Sequence, residues 1–326
     1  MKTTWAACIV HHDAVNDLAA CLESLRAQTD RPVVTVVWDT GVDPEGLAGV
    51  EARYPEAIFL GGENAGYAGG ANRAIEAVIA RDGAGQGGPD HVLVLNPDVV
   101  LDADFARTLR EAVDCLPEVA VAGGKLLRPG RALLDSAGIV YPRHRRPRDR
   151  GSEVPDRGQF DRRERVDGVS GAAMWLRVST LGELAVEGEI FDETFFAYHE
   201  DTDLCWRARR MGFEVLYAPE ATAIHARGWR RDRRRSIAIS IRRHSFKNHY
   251  LQLIKNETAG DLLRNAPWLI GWEVLRAGFV VLRDPALLPA YTEALRLAGG
   301  AWRKRRWIQA RADSRREVAM RRPSDC

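Results

Sequence analysis

The feature that most constrains the fold is a short apolar run that ends at a sharp break. The run Val-Leu-Val-Leu follows His91 and is interrupted by Asn96, Pro97 and Asp98. Such a run is typical of a central parallel strand that is covered on both faces. Open α/β sheets bind ligands at the carboxyl ends of their strands, so Asn96 and Asp98 are candidate oxygen ligands of a divalent cation. The alternative is a simple turn, because all three interrupting residues favour turns.

The composition indicates a soluble globular protein. The chain has 326 residues, of which 45% are hydrophobic and 28% charged, enough for one large domain or one and a half. Five scattered cysteines without a CxxC pair indicate reduced thiols in a cytosolic protein. Because the sequence has no secretory signal and no charge-free stretch of about 20 residues, we expect the protein on the cytoplasmic side.

The first third of the chain alternates between strand and helix patterns. Residues 5–10 predict a strand, residues 15–28 an amphipathic helix and residues 33–38 a second strand, which together form a right-handed parallel unit. Asp39 then stands at a carboxyl strand end, where an acidic side chain commonly accepts hydrogen bonds from a base or a ribose hydroxyl. A loop aspartate in a turn is the alternative.

A glycine-rich segment, residues 61–73, precedes a helix that the sequence predicts over residues 71–80. Glycines before a helix N-terminus let backbone amides approach an anionic ligand such as a diphosphate. The spacing matches neither GxGxxG nor a P-loop, so it supports neither a dinucleotide-binding fold nor an ATPase.

Two segments of the second third have unusual composition. Residues 142–165 are rich in Arg, Pro, Asp and Gly, which predicts a mobile loop ordered by substrate or, alternatively, a solvated charge run. Farther on, Glu200, Asp201 and Asp203 open a predicted helix whose last turn is basic and which ends at Gly212. Favourable charge at the helix ends explains part of this pattern, but not the aromatic residues and the histidine beside it.

The last third is basic and amphipathic. Residues 236–253 predict a helix with a basic face, residues 262–282 are apolar with interspersed charges, and residues 302–307 read Trp-Arg-Lys-Arg-Arg-Trp. Such segments favour an anionic lipid surface, which predicts peripheral membrane contact. The alternative is a helical appendage that packs on the rest of the protein or on a second copy.

Five motifs occur in an order that resembles the family 2 glycosyltransferases with the GT-A fold, especially the bacterial rhamnosyltransferase-like branch. The resemblance covers about residues 3–255 and rests on Val-Val-Trp-Asp ending at Asp39, the Asn64–Asn72 segment, Leu-Asn-Pro-Asp ending at Asp98, residues 168–177, and residues 195–207 with His225 downstream. It implies an α/β fold with a mostly parallel central sheet flanked by helices. It also implies a catalytic domain over residues 1–230 (nucleotide-sugar half about 1–127, acceptor-side half about 128–230) and a basic helical extension over residues 231–326.

The resemblance also assigns candidate site residues. Asp39 matches the acid that contacts the nucleoside base, and Asp98 matches the last acid of the metal-binding DxD motif. Asn96 replaces the first acid of that motif here. Asp201 matches the general base, with Glu200 close enough to share that role, and His225 matches a histidine that completes the metal site in some relatives. The further donor-side candidates are Asn64, Gly66, Tyr67, Gly69, Gly70, Asn72 and Asn96, and the acceptor-side candidates are Gly171, Trp175, His199 and Asp203.

The implied activity is transfer of a sugar with inversion, with Mg²⁺ or Mn²⁺ as cofactor. The expected donor is a deoxythymidine or uridine diphosphate sugar. The leading candidate is transfer of L-rhamnose from dTDP-rhamnose to a glycan or lipid-linked glycan in cell-envelope polysaccharide synthesis. Peripheral membrane contact and a homo-oligomer are further expectations, and no nucleic-acid partner is expected. Two departures touch the nucleoside pocket: His11-His12 replaces the usual Tyr-Asn, and Asp39-Thr-Gly-Val replaces Asp-Asn-Gly-Ser.

Other functions remain as alternatives. A nucleotidyltransferase would need a basic, glycine-rich signature near the first strand, and residues 8–18 lack one. The net charge is only +2, but basic clusters at residues 142–165, 227–247 and 302–322 suggest a nucleic-acid-binding protein. An inactive nucleotide-sugar-binding protein is a third alternative, against which the acids Asp98 and Asp201 argue.

Overall fold

The protein is built on one mixed sheet with helices on both faces. The computed structural model describes residues 3–41, 43–81, 88–227 and 237–321. Within them the sheet has the strand order β10-β12-β6-β11-β4-β1-β2-β3, with β5 paired to β12 and β7 paired to β6. Its strands are β1 (Trp5–His11), β2 (Thr35–Asp39), β3 (Ala57–Gly61), β4 (His91–Leu95), β5 (Val99–Leu101), β6 (Val119–Leu127), β7 (Leu134–Ser136), β10 (Glu164–Arg165), β11 (Ala173–Arg177) and β12 (Glu214–His225). The short strands β8 (Ile139–Val140) and β9 (Arg148–Asp149) form a separate ribbon.

The helices cover the sheet and extend beyond it at the C-terminal end of the chain. They are α1 (Val15–Arg26), α2 (Pro44–Arg53), α3 (Gly66–Ala80), α4 (Phe105–Val113), α5 (Val178–Leu184), α6 (Glu200–Arg210), α7 (Ile239–Asn256), α8 (Ala259–Arg283) and α9 (Leu288–Arg321). The predicted α/β class is confirmed, as are the predicted strands and helices of the first half apart from shifts at their ends. One difference is that α3 begins at Gly66, inside the glycine-rich segment, and not at residue 71.

The parallel half of the sheet is buried on both faces, as the apolar runs predict. Strands β3, β2, β1 and β4 are parallel to one another. Trp5, Ala7 and Ile9 of β1 face one apolar cluster, and Ala6 and Cys8 face the other, so alternate side chains serve two cores. Parallel pairing then brings the carboxyl ends of neighbouring strands to one edge.

The other half of the sheet carries the chain back towards that edge. β11 runs antiparallel between β4 and β6, and β12 runs parallel to β6. β12 also pairs with the short strand β5, where His225 lies opposite Val99. This pairing places the end of β12 beside Asp98, although the two residues are far apart in sequence.

The segment 142–165 is anchored by ion pairs in the structure. Arg145 Nε lies 2.6 Å from Glu257 Oε2, and Arg150 Nη1 lies 2.6 Å from Glu164 Oε1. Its first part also stacks on α8, where the rings of His144 and Trp272 are 4.4 Å apart. The charges predicted as a mobile loop or a solvated run therefore have partners on the sheet and on the C-terminal helices.

Buried ion pairs join the C-terminal helices to the rest of the protein. Lys255 of α7 lies 2.6 Å from Asp192 and 2.7 Å from Asp203, and Lys304 of α9 lies 2.7 Å from Asp192. The basic run at residues 302–307 is thus partly used in packing, since Arg305 also donates to the carbonyl of Ile254. For α9 the structure favours the packed appendage over a lipid-facing helix.

The helix α8 differs from α9 in its surroundings. Large apolar side chains are exposed along its length: Leu262, Leu263, Trp268, Ile270, Val274, Leu275, Phe279, Val281 and Leu282. None of the helices in the described part of the chain is long and apolar enough to span a bilayer.

Candidate active site

Two acidic groups mark the carboxyl edge of the parallel strands. Asp39 ends β2 next to His11, which ends β1 and lies opposite Asp39 in the sheet. The ring Nδ1 of His11 lies 2.5 Å from Asp39 Oδ1, while Nε2 accepts a hydrogen bond from the backbone N–H of Ala14. The imidazole therefore carries its proton on Nδ1, donates it to Asp39 and holds that carboxylate at the strand end.

The second acid, Asp98, lies beside the end of β12. Its Oδ1 is 3.3 Å from Nε2 of His225, and Nδ1 of His225 is 2.7 Å from Oδ2 of Asp135. Asp135 is fully buried and also pairs with Arg128 at 2.9 Å. Burial alone would lower the pKa of His225, but the hydrogen bonds to Asp135 and Asp98 raise it to about 9.

The chemistry of this pair suits a divalent cation. A histidine that ligates a metal through one ring nitrogen usually donates the other to a carboxylate, as His225 does to Asp135. Among the described residues no group of three or more His, Cys, Asp or Glu side chains could hold a metal. Asp98 and His225 could supply two protein ligands, provided that the metal displaces the proton that the raised pKa of His225 keeps on its ring, and the remaining ligands would come from outside the protein.

Asp201 is fixed at the start of α6 by backbone donors. The N–H of Gly171 donates to Asp201 Oδ2 over 2.9 Å, and the N–H of Thr202 donates to Oδ1 over 2.6 Å. Burial raises the pKa of Asp201 above its ordinary value, although both backbone donors oppose the shift. A carboxylate held in this way, with a raised pKa, suits a general base.

Glu200 has a different environment. Burial and the neighbouring charge of Asp201 raise its pKa well above the usual range, and its Oε2 is buried without a hydrogen-bond partner in the described structure. The turn that presents it is unusual, because Phe196, Tyr198 and His199 all have positive φ angles. Backbone strain of this kind clusters at functional sites.

The glycine-rich segment packs against that turn. Asn64 accepts the N–H of Gly66 over 2.9 Å, and a Cβ on Gly66 would lie 2.2 Å from the carbonyl oxygen of Phe196. Gly66 also has a φ of +74°, which favours glycine. The backbone of Gly66 thus closely approaches the turn that precedes α6.

Several donor-side candidates of this segment are buried. A Cβ on Gly69 would meet Ala65, the residue directly before α3, and a Cβ on Gly70 would meet Val10 and Trp38, so Gly70 allows α3 to lie close to β1 and β2. Asn72 is almost fully buried and exchanges two hydrogen bonds with the backbone of Phe191, at 2.8 and 2.9 Å.

Tyr67 also contacts the interior of the protein. Its hydroxyl donates to the carbonyl of Gly171 over 2.8 Å. Since the amide of Gly171 binds Asp201, Tyr67 supports the segment that holds this carboxylate.

Two acceptor-side candidates are enclosed by the protein. Trp175 is buried in the sheet between the rings of Trp5 and His91, at 5.5 and 5.3 Å. Asp203 is fully buried against α7 and binds Lys255 and Asn256, each at 2.7 Å. The other two candidates, Gly171 and His199, lie next to Asp201 and Glu200. Asn96 is half-buried, directly after β4.

Three residues of the site were not assigned from the sequence. His11 binds Asp39, Asp135 binds His225, and Arg227 lies 2.7 Å from Asp149 and 3.5 Å from Asp135. His11 was detectable as a polar residue at a strand end. Asp135 and Arg227 lie in segments without a recognisable motif, so only tertiary contacts show them.

The model of the protein family described as "Glycosyltransferase like family 2" matches residues 6–245. The chain belongs to glycosyltransferase family 2. A curated relative from Mycobacterium tuberculosis, named N-acetylglucosaminyl-diphospho-decaprenol L-rhamnosyltransferase, is 31% identical over 226 residues, which are 63% of this chain and 70% of the relative. The protein is therefore a rhamnosyltransferase-like member of the family, as its motifs predict.

Solved structures show the same fold. GalNAc-T7 with UDP, GalNAc and Mn²⁺ matches with a TM-score of 0.55 and 12% identity over 77% of this chain and 48% of that one. The mannosyltransferase PcManGT from Pyrobaculum calidifontis, in complex with GDP-Man and Mn²⁺, matches with a TM-score of 0.51 and 15% identity over 98% and 88%. The predicted GT-A fold is confirmed, and the protein is a glycosyltransferase.

Proposed function

We propose that this glycosyltransferase moves L-rhamnose from dTDP-rhamnose to a lipid-linked glycan, with inversion at the anomeric carbon. The observation that carries the proposal is Asp201, a carboxylate with a raised pKa that backbone amides hold at the acceptor-side edge of the sheet. The transferred sugar and the lipid-linked acceptor follow the name of the Mycobacterium tuberculosis relative. Its acceptor is consistent with a role in cell-envelope polysaccharide synthesis. The dTDP carrier follows the resemblance of the motifs to the rhamnosyltransferase-like branch.

In this proposal Asp201 performs the proton transfer. An acceptor hydroxyl forms a bond to the anomeric carbon as Asp201 removes its proton. The bond from that carbon to the diphosphate oxygen breaks in the same step, and its electron pair leaves with the nucleoside diphosphate. Attack from the side opposite the leaving group inverts the configuration. Burial and the neighbouring charge of Asp201 raise the pKa of Glu200 well above its usual value, which favours its protonated form beside the ionised Asp201.

The donor site occupies the edge formed by Asp39, Asp98 and His225. Asp39 accepts a hydrogen bond from the nucleoside, and Asp98 and His225 hold Mg²⁺ or Mn²⁺. When bound, the ion supplies positive charge that stabilises the departing diphosphate. Arg227 adds a fixed positive charge close to the same edge, where it interacts electrostatically with Asp201 and Tyr198.

We also infer that the protein works at the inner face of the cell membrane, with α8 lying in the lipid interface. The exposed apolar side chains of α8, with Leu263 77% and Leu282 80% exposed, support this placement. Co-sedimentation with vesicles of phosphatidylglycerol tests it: binding by the wild type and loss in a Leu263→Asp, Leu282→Asp variant are expected. Equal recovery of both proteins in the supernatant would contradict membrane contact.

Thermal unfolding with nucleotides tests the proposed donor. A ligand that binds only the folded state raises the melting temperature, so dTDP and dTDP-rhamnose with Mg²⁺ or Mn²⁺ should stabilise the protein more than UDP, GDP or ADP. The shift should fall without metal. If another base gives the largest shift, the thymidine assignment is wrong, and if no nucleotide gives a shift, the donor site is wrong.

A further inference from the structure

A cavity of about 250 Å³ lies outside the donor edge, between α7, α8 and the turn that precedes α6. Its basic side chains are Arg146, Arg242 and Arg276, and its apolar ones include Phe246, Trp272, Leu275 and Phe279. His199, which directly precedes Glu200, also lines it. The cavity thus adjoins the catalytic carboxylates without containing them.

The polar lining carries positive charge and an unused donor. Nε1 of Trp272 is buried and has no hydrogen-bond partner among the described residues. Burial of an indole N–H without a partner is unfavourable, which is typical of a group that a ligand satisfies. Arg276 lies 3.5 Å from Glu273, and Arg242 pairs with Asp284, so these two arginines are held in position by acids.

The electrostatic potential inside the cavity is positive near His199 and His249. Burial and then the neighbouring His249, Arg146 and Arg276 lower the pKa of His199 well below its usual value. His249 is 1% exposed, and its Nε2 lies 3.7 Å from Glu273, beyond hydrogen-bond distance. An anion in the cavity would meet arginine cations and the indole donor together.

The apolar side of the cavity leads to the surface. Leu275 and Phe279 line the cavity, and they belong to the exposed apolar residues of α8. A ligand that joins a phosphate group to a long hydrocarbon chain matches this layout, because its charged end meets the arginines while its chain follows α8. Two sources share this chemistry: a prenyl diphosphate and the headgroup of a membrane phospholipid.

We propose that this cavity binds the diphosphate of a prenyl-diphosphate-linked acceptor, whose chain leaves along α8 and whose sugar reaches Asp201 past His199. The inference rests on the proposed function, since it takes the acceptor to be lipid-linked. Arg146, Arg276 and the N–H of Trp272 bind the diphosphate. The site would set the acceptor sugar at a fixed distance from the base.

Binding of farnesyl diphosphate, measured by isothermal titration calorimetry, tests the site. Arg146→Gln is expected to weaken binding about tenfold or more, because it removes a charge-assisted hydrogen bond. Trp272→Phe keeps the ring that stacks on His144 and removes the unpaired N–H, so it should weaken binding about threefold to tenfold without lowering the melting temperature. Farnesol, which has no phosphate, should bind weakly to all three proteins.

Arg143→Gln is the matched control. Arg143 lies over the ring of Trp268 at 4.3 Å and does not line the cavity, so its loss changes the net charge equally and should leave binding unchanged. Equal weakening by Arg143→Gln and Arg146→Gln would overturn the site in favour of general charge attraction. Unchanged affinity in both cavity variants would also overturn it.

Vesicles of phosphatidylglycerol distinguish the two phosphate sources. If the cavity variants lose vesicle binding but keep farnesyl diphosphate affinity, the occupant is a membrane headgroup and the proposal is wrong. The melting-temperature shift with dTDP-rhamnose is measured on the same proteins. If that shift is present and the cavity variants have no effect, only the cavity assignment fails, whereas loss of the shift in the wild type contradicts the proposed function itself.

Discussion

The backbone amide of Gly171 donates a 2.9 Å hydrogen bond to Asp201, and the carbonyl of the same residue accepts a 2.8 Å hydrogen bond from Tyr67. One peptide segment after the basic loop therefore links α3 to the start of α6. A Cβ on Gly171 would lie 3.0 Å from Cβ of Asp201, so a larger residue would move the carboxylate. The position of the proposed base thus depends on parts of the chain about 100 residues apart in sequence.

Asp201→Asn should abolish sugar transfer, by at least about a hundredfold, and leave donor binding intact, because the amide cannot remove a proton. Transfer is measured by release of nucleoside diphosphate in the presence of acceptor, and donor binding by thermal shift. Glu200→Gln is the comparison: burial and the charge of Asp201 raise the pKa of Glu200 and favour its neutral form, so the neutral amide should cause a smaller loss. A fully active Asp201 variant would refute the assigned base.

The pH profile should show the raised pKa of the base. Asp201 acts in its ionised form, and burial raises its pKa, so kcat/KM should fall as pH decreases and should begin to fall above the ordinary aspartate range near pH 4. The profile is measured at subsaturating substrate between about pH 4 and about pH 8, where the protein is expected to stay folded. A flat profile down to about pH 4 would contradict the assignment.

Asp98→Ala should weaken metal-dependent donor binding. The variant loses one of two proposed protein ligands, so the extra thermal shift that Mn²⁺ gives with dTDP should largely disappear, while any shift without metal stays. Asp17→Ala, which removes an exposed carboxylate from α1, should retain the metal-dependent shift. Equal metal dependence in wild type and Asp98→Ala would exclude Asp98 as a ligand.

Lys255→Met should reduce the free energy of unfolding by about 3–5 kcal/mol, because it leaves Asp192 and Asp203 buried without their shared cation. Arg303→Met, which removes the exposed pair with Glu187, should reduce the free energy of unfolding far less, because solvent screens that pair. Both values come from urea unfolding monitored by circular dichroism. Similar losses in the two variants would show that burial of the Lys255 network has no special effect.

The same network predicts how stability changes with pH. Burial would raise the pKa of Asp192, but Lys255 and Lys304 lower it below the unfolded value. The stabilisation is therefore complete above the ordinary aspartate pKa of about 4 and is lost as pH falls below it. In Lys255→Met this loss should be smaller, as urea unfolding at about pH 7 and about pH 2 would show.

Gly66→Ala should destabilise the protein by about 1–3 kcal/mol and lower activity, because Gly66 has positive φ and its added Cβ would meet Phe196. Gly271→Ala is the control. That glycine lies in α8 with no atom within 4 Å of an added Cβ, so alanine should be neutral or slightly stabilising. If both substitutions behave alike, the contact between α3 and the Phe196 turn does not constrain the site.

The order of strands and helices could be predicted from the sequence because hydrophobic periodicity is a local property. The apolar run of β4 and the positions of Asp39 and Asp98 after predicted strands can be recognised from neighbouring residues alone. The five ordered motifs identified the family. Helix ends were less predictable: α3 starts at Gly66, inside the glycine-rich segment, where Gly70 packs against Val10 and Trp38. These two residues are distant from Gly70 in sequence.

The partners of charged and polar side chains could not be predicted from the sequence alone. Asp201 and Asp203 lie two residues apart, yet one faces Gly171 and the other is buried against Lys255, because α6 points them in different directions. The sequence determined which chemical groups the protein has and the order in which they occur. Only the tertiary structure decided their partners, since burial and hydrogen bonding depend on segments that the fold brings together.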